Sequence, residues 1–261
     1  MKQKSISRRA SRGATFCWIA SVLMLAVKPE VAAPMDFSGV WERYPPLHDP
    51  AANPKAIFAE GFSVPGGAPK LKEPYATEYK RYENRAKAAE KSGHPLPTAS
   101  DRCLPMGTPM MMSAIMPLEI VGRRGEVVIL AEELAEIRRI YINDELPPLE
   151  EIPPSFHGYS VGHWEGDTLV VTTEGIRDDV RYLDIPHSPA MKVVERFRLV
   201  SPDMLEDKIS MEDPKVLAKP YQFTFRYKRS STYRVQEYVC SNNHYHVNAK
   251  GAVVFDIAPK P

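Results

Sequence analysis

The sequence predicts a mainly β chain closed into an antiparallel barrel, with an N-terminal arm and one flanking helix. Three observations carry that prediction. From Met116 onward the chain breaks into short alternating or β-branched runs, each bounded by Pro, Asp, Ser or Gly. Eight to ten such runs follow closely, with almost no helical pattern between them, which is the mark of an antiparallel barrel or sandwich. The single helical pattern lies earlier, over about residues 74–92.

Taken in order, residues 1–33 read as an address for export. Lys2, Lys4, Arg8, Arg9 and Arg12 precede an apolar run from Ala14 to Val27, and the small residues Val31-Ala32-Ala33 suit a signal peptidase. The apolar run is too short to span a bilayer comfortably, and no later segment holds ~18 consecutive apolar residues. The expectation is therefore an exported, periplasmic protein with no membrane-spanning helix.

The stretch DFSGVWE at 36–42 resembles the opening strand of lipocalin-type barrels, which places Gly39 and Trp41 near a closed barrel floor. This first strand joins the barrel, although residues 34–115 otherwise form the arm. From Arg43 to Pro69 the chain is rich in Pro, Gly and Ala without a period, as in an extended arm or long loop. Pro74 then opens a helix in which Tyr75, Tyr79, Tyr82, Ala86 and Ala89 recur at spacings of four and three, and Gly93 with Pro95 ends it. Its tyrosine stripe either docks on the barrel or forms a lid lining a ligand pocket.

The barrel is expected over 116–261. LEIVGRRGEVVIL supplies two runs around Arg123-Arg124-Gly125, and AEIRRIYIND continues the meander. GYSVGHWEGDTLVVTT, residues 158–173, is a hairpin about Glu165-Gly166. Alternation puts Tyr159, Val161, His163, Thr168, Val170 and Thr172 on one face, and the more apolar Ser160, Gly162, Trp164, Leu169, Val171 and Thr173 on the core face. MKVVERFRLV, MLEDKISME, YQFTFRYKR and TYRVQEYVC complete the strands.

Charge narrows the partners. The six Lys/Arg and one acid of residues 1–33 account for +5 of a total of +1, so residues 34–261 carry −4. That balance argues against nucleic acid. Two cysteines follow the leader, Cys103 and Cys240, and in an oxidising compartment their simplest state is one disulfide, with two free thiols as the alternative.

The set CLPMG, IRRIY, GYSVGHWEGDTLVV, His187 to Phe197, MEDP and EYVC resembles a widespread, uncharacterised family of bacterial exported proteins. The resemblance runs from about Tyr75 to Cys240. It implies a shared, lipocalin-like fold and export, and no activity.

The candidate catalytic residues are Tyr141, Tyr159, His163, His187, Asp178, Glu195, Arg138 and Arg139. A histidine beside a carboxylate is held in one tautomer and suits proton transfer, while an arginine stabilises a developing enolate or alkoxide. The plainer reading makes Arg139 and Glu195 cross-strand ion pairs and His187 a local hydrogen-bonding residue of its loop. Tyr75, Tyr79, Tyr82, Met110 and Met112 are candidate ligand-binding residues. His244 and His246, two apart near Cys240, could share a metal, and the methionines 106, 110, 111, 112 and 116 could hold Cu(I) or line an apolar pocket. No GxSxG, HExxH, P-loop or dinucleotide motif occurs.

These readings converge on a barrel holding a small hydrophobic or aromatic molecule. The leading expectation is a cofactor-free lyase or isomerase acting by general acid/base chemistry. The alternatives are a periplasmic carrier of the same guest and a copper-handling protein.

Overall fold

In a computed structural model, residues 36–46 and 67–240 are described in full, with the backbone of 245–247 and 253–255. The expected leader, residues 47–66 of the arm and His244 lie outside the described residues, as does the side chain of His246. Nine strands form one closed barrel: β1 (Gly39–Tyr44), β2 (Leu118–Arg123), β3 (Glu126–Ala131), β4 (Glu136–Ile142), β5 (Tyr159–Glu165), β6 (Thr168–Glu174), β7 (Lys192–Ser201), β8 (Met204–Glu212) and β9 (Tyr221–Ser230). The pairing of β9 with β1, from Val40↔Ser230 to Tyr44↔Arg226, closes the ring. Closure leaves the barrel without an open edge.

Two details depart from the meander predicted by the sequence. All neighbours are antiparallel except β4 and β5, which run parallel with Ile140↔Ser160 and Ile142↔Gly162. The chain between them, residues 143–158, carries Pro147, Pro148, Pro153 and Pro154 and crosses back along the barrel rather than turning tightly. TYRVQEYVC is not a barrel strand: residues 231–240 form no strand, and Tyr233 Oη and the Gln236 N–H donate to the Glu132 carboxylate at 2.8–2.9 Å. Both sides of β9 are already occupied by β1 and β8, so no barrel edge remains for another strand. Further on, β10 (Tyr245–Val247) and β11 (Val253–Phe255) form a separate two-stranded sheet.

The 158–173 hairpin turns one residue later than its sequence suggests, at Gly166-Asp167, with Glu165↔Thr168 and His163↔Val170 in register. Gly166 takes φ +62, which glycine adopts without steric cost. The slip shifts the pairing by two positions in total, so the faces keep the parity of the alternation. Ser160, Gly162, Leu169, Val171 and Thr173 are buried inward, while His163 faces out.

Inside, Trp41, Leu118, Ile129, Ile140, Leu169, Phe197, Phe225 and Tyr227 are almost wholly buried, each contributing roughly 1.5–3 kcal/mol. At the end bearing the tight turns, Phe37 meets Trp164 at 5.2 Å and the Trp41 indole N–H donates to the Phe37 carbonyl at 2.8 Å. The Arg229 guanidinium lies 4.3 Å over Trp41, so this end is sealed as the opening-strand resemblance implied. The other end, the loop end, carries the long connections.

Helix α1 (Tyr75–Lys91) follows its predicted bounds within a residue. Tyr75, Tyr79, Tyr82, Ala86 and Ala89 form its half-buried stripe. Tyr79 Oη donates to the Leu183 carbonyl at 3.4 Å, which sets the helix against the connection between β6 and β7. Cys103 and Cys240 form a disulfide, with a sequence separation of 137. No helix among the described residues is long and apolar enough to cross a membrane.

Candidate functional site

Inward alternation on β4 to β8 brings polar side chains into an otherwise apolar interior. Arg138 is fully buried and its guanidinium grips Glu195 with two hydrogen bonds, one from Nη1 to Oε1 at 2.8 Å and one from Nη2 to Oε2. Ser160 Oγ and Thr173 Oγ1 accept its remaining bonds at 2.9–3.3 Å. Deeper still, Asp207 is wholly buried, and neither of its carboxyl oxygens has a hydrogen-bond partner among the described residues. Burial and the nearby Glu195 hold its carboxyl well above the usual carboxylate range, against the opposing pull of Arg138.

At the loop end a second titratable group adjoins the first. Glu136 opens β4, and its two carboxylate oxygens accept the backbone N–H groups of Met106 and Gly107, each at 2.9 Å. Gly107 is required there: it takes φ +70, and a Cβ would lie 2.3 Å from the Phe156 carbonyl oxygen. His157 Nε2 stands 3.4 Å from Glu136 Oε2, with the histidine side chain 19% exposed and the glutamate not at all. His157 Nδ1 is buried without a partner, as is Oε2 of the neighbouring Glu133. Burial, reinforced by the Arg138 charge, pushes His157 down to about 4. Burial and Glu136 push Glu133 up to about 7. At neutral pH the pair therefore offers an uncharged imidazole with an open nitrogen and a carboxyl poised between its two states.

The predicted site residues divide between these groups and the surface. Arg138 and Glu195 come together inside the barrel. Arg139, on the opposite face of β4, is exposed and pairs with Glu126 at 2.8 Å. Tyr141 and Tyr159 stack on each other on the outer face with centroids 5.1 Å apart. His163 is 56% exposed and lies 3.2 Å from Glu165, which also holds Arg196 at 2.7 Å. His187 is buried within the β6–β7 connection, its ring nitrogens 2.7 Å from the Val180 carbonyl and 3.0 Å from that of Ser188. Asp178 is exposed.

Of the proposed ligand-lining residues, Tyr82 is half-buried beside Asp184, its hydroxyl pushed up to about 12 by burial and that carboxylate. Met111 and Met112 are buried core and Met110 packs against it, all three in the short turn Met110–Ser113 that closes the loop end. Tyr227 Oη donates to the Met112 carbonyl from within the barrel. Cys240 is committed to its disulfide, and among the described residues no three His, Cys, Asp or Glu side chains converge as metal ligands.

Sequence reasoning passed over Glu133, Glu136, His157 and Asp207. His157 immediately precedes the conspicuous GYSVGHW run, and its buried setting comes from the crossover before β5, which alternation does not describe. Asp207, on β8, sits four strands from Arg138, on β4, in pairing order. The alternation of MLEDKISME does put it on the face of Leu205 and Ile209, and that was the available signal.

Fold and site together define a closed barrel of lipocalin-like architecture with a buried acid/base cluster reaching its loop end. Comparison of the chain with protein-family profiles and with curated protein sequences finds no match.

Proposed function

We propose that the protein is an exported, cofactor-free lyase or isomerase that moves protons on a small hydrophobic or aromatic molecule. The observation that carries this reading is the trio His157, Glu136 and Glu133 at the loop end, two of them with buried polar atoms left open. With its proton on Nε2, nearest Glu136, His157 keeps a lone pair on Nδ1 to take a proton from the carbon next to a carbonyl. Glu133 gives its own proton to the carbonyl oxygen, so a neutral enol forms. Return of the proton to a different carbon yields an isomer, and loss of a β-substituent yields an elimination product. Acid/base positioning of this kind contributes about 10²–10⁴ in rate. The Cys103–Cys240 disulfide suits the oxidising compartment that export implies.

The test needs no knowledge of the natural product. Small hydrophobic ketones and enones are incubated in D2O with the purified protein, and deuterium gain is read by mass spectrometry. Exchange by the wild type that is lost in both His157→Gln and Glu133→Gln is the expected result. Compounds that bind without exchanging deuterium would instead make the protein a carrier.

A further inference from the structure

We infer that the guest at the loop end is a hydrophobic carboxylate, and that Arg43 on β1 receives its carboxylate group. The inference rests on the reading that the loop end takes a small guest, and it adds the chemical class. Arg43 follows Trp41 by two residues and so shares its inward face. Its guanidinium lies 4.1 Å from the Phe225 ring centroid, and Nη1 donates to the Ser113 carbonyl at 2.7 Å. A guanidinium carries five N–H donors. No acid among the described residues pairs with this one. The contrast with Arg138, whose buried charge is met by Glu195 and two hydroxyls, is direct.

Arg43 is also half-buried, and burial lowers its affinity for its proton despite the nearby hydroxyls of Tyr227 and Tyr182. A cation withdrawn from water without a counter-charge is costly, and a carboxylate meets it in two parallel hydrogen bonds. Beside it, Ser113 Oγ is buried with no partner and can donate to the same group. The surrounding wall is aromatic: Tyr182 stacks on Phe223 at 4.3 Å, and Phe223 meets Phe225 edge-on at 5.2 Å. Cation and wall together suit a singly charged head on an apolar body. A phosphate would bring a second negative charge to an end that already holds Glu133 and Glu136.

The test is calorimetric titration of the full chain with trans-cinnamate and decanoate, and with cinnamamide as the uncharged counterpart. The expected result is that cinnamate binds roughly ten- to hundredfold more tightly than cinnamamide, the size of one charge-assisted contact. Arg43→Met should bring cinnamate down to the level of the amide, and Arg43→Lys should restore part of the difference. Equal binding of acid and amide by the wild type, no binding of either carboxylate, or cinnamate affinity unchanged in a folded Arg43→Met would each overturn the inference. The acid-to-amide ratio in the wild type stands even if the variant does not fold. Deuterium exchange is read separately. Exchange in neutral guests without carboxylate preference defeats the Arg43 assignment alone, whereas Arg43-dependent binding without His157-dependent exchange defeats the acid/base reading alone.

Discussion

Replacing Glu195 by Gln removes the negative charge from the Arg138 pair while keeping its shape. Both side chains are fully buried, so the remaining guanidinium loses its hydrogen-bonded counter-charge, and its hydrogen bonds reduce to Ser160, Thr173 and a neutral amide. Breaking a buried pair from one side costs about 3–5 kcal/mol, a large part of the ~5–15 kcal/mol that holds a domain together. For a barrel of this size that is a drop in melting temperature of about 6–20 °C. Urea unfolding followed by tryptophan fluorescence should show a lower midpoint at unchanged slope. The double variant Arg138→Met/Glu195→Leu, which removes both charges together, should recover most of the loss. A loss below about 1 kcal/mol for Glu195→Gln would refute the claim that an uncompensated Arg138 charge is costly in this interior.

Stability against pH should separate the two groups at the loop end. Glu133 has a folded value near 7, above its unfolded value, so its contribution is full below about 4.5 and is lost as pH rises to about 7. His157 has a folded value near 4, below its unfolded value, so its contribution is full above about 6.5 and is lost as pH falls to about 4. The two oppose each other. Relative to wild type, Glu133→Gln should gain stability as pH rises from about 4.5 to 7, and His157→Gln should lose it from about 4 to 6.5, as read by melting temperature across a buffer series. Gly107→Ala forces a Cβ to 2.3 Å from a backbone oxygen at positive φ and should cost about 2 kcal/mol or more in urea unfolding, with reduced deuterium exchange because Glu136 loses its backbone donors. Opening the disulfide in Cys103→Ser/Cys240→Ser frees a loop with a separation of 137 and should lower unfolding stability by about 2–5 kcal/mol. His163→Gln, on an exposed pair, should leave the unfolding midpoint and the exchange rate at the wild-type values.

Period-two alternation by itself determined much of this molecule. It assigns Ser160, Thr173, Leu169 and Val171 to the core face and His163 to the other, because a pleated strand sends alternate side chains to opposite sides. The four-and-three spacing of Tyr75, Tyr79 and Tyr82 likewise determined the helix and the face it buries. Two cysteines beyond residue 33, Cys103 and Cys240, were enough to suggest the disulfide.

What the chain does beyond each strand was settled only in three dimensions. The proline-rich 143–158 segment makes β5 parallel to β4, and barrel closure leaves residues 231–240 without a strand to pair. The partnership of Arg138 with Glu195 joins β4 to β7, and no local pattern records which two inward charges will meet across a closed ring. The same holds for His157, Glu136 and Glu133. Their chemistry comes from burial and mutual approach, which are properties of the assembled barrel end and not of any one stretch of residues.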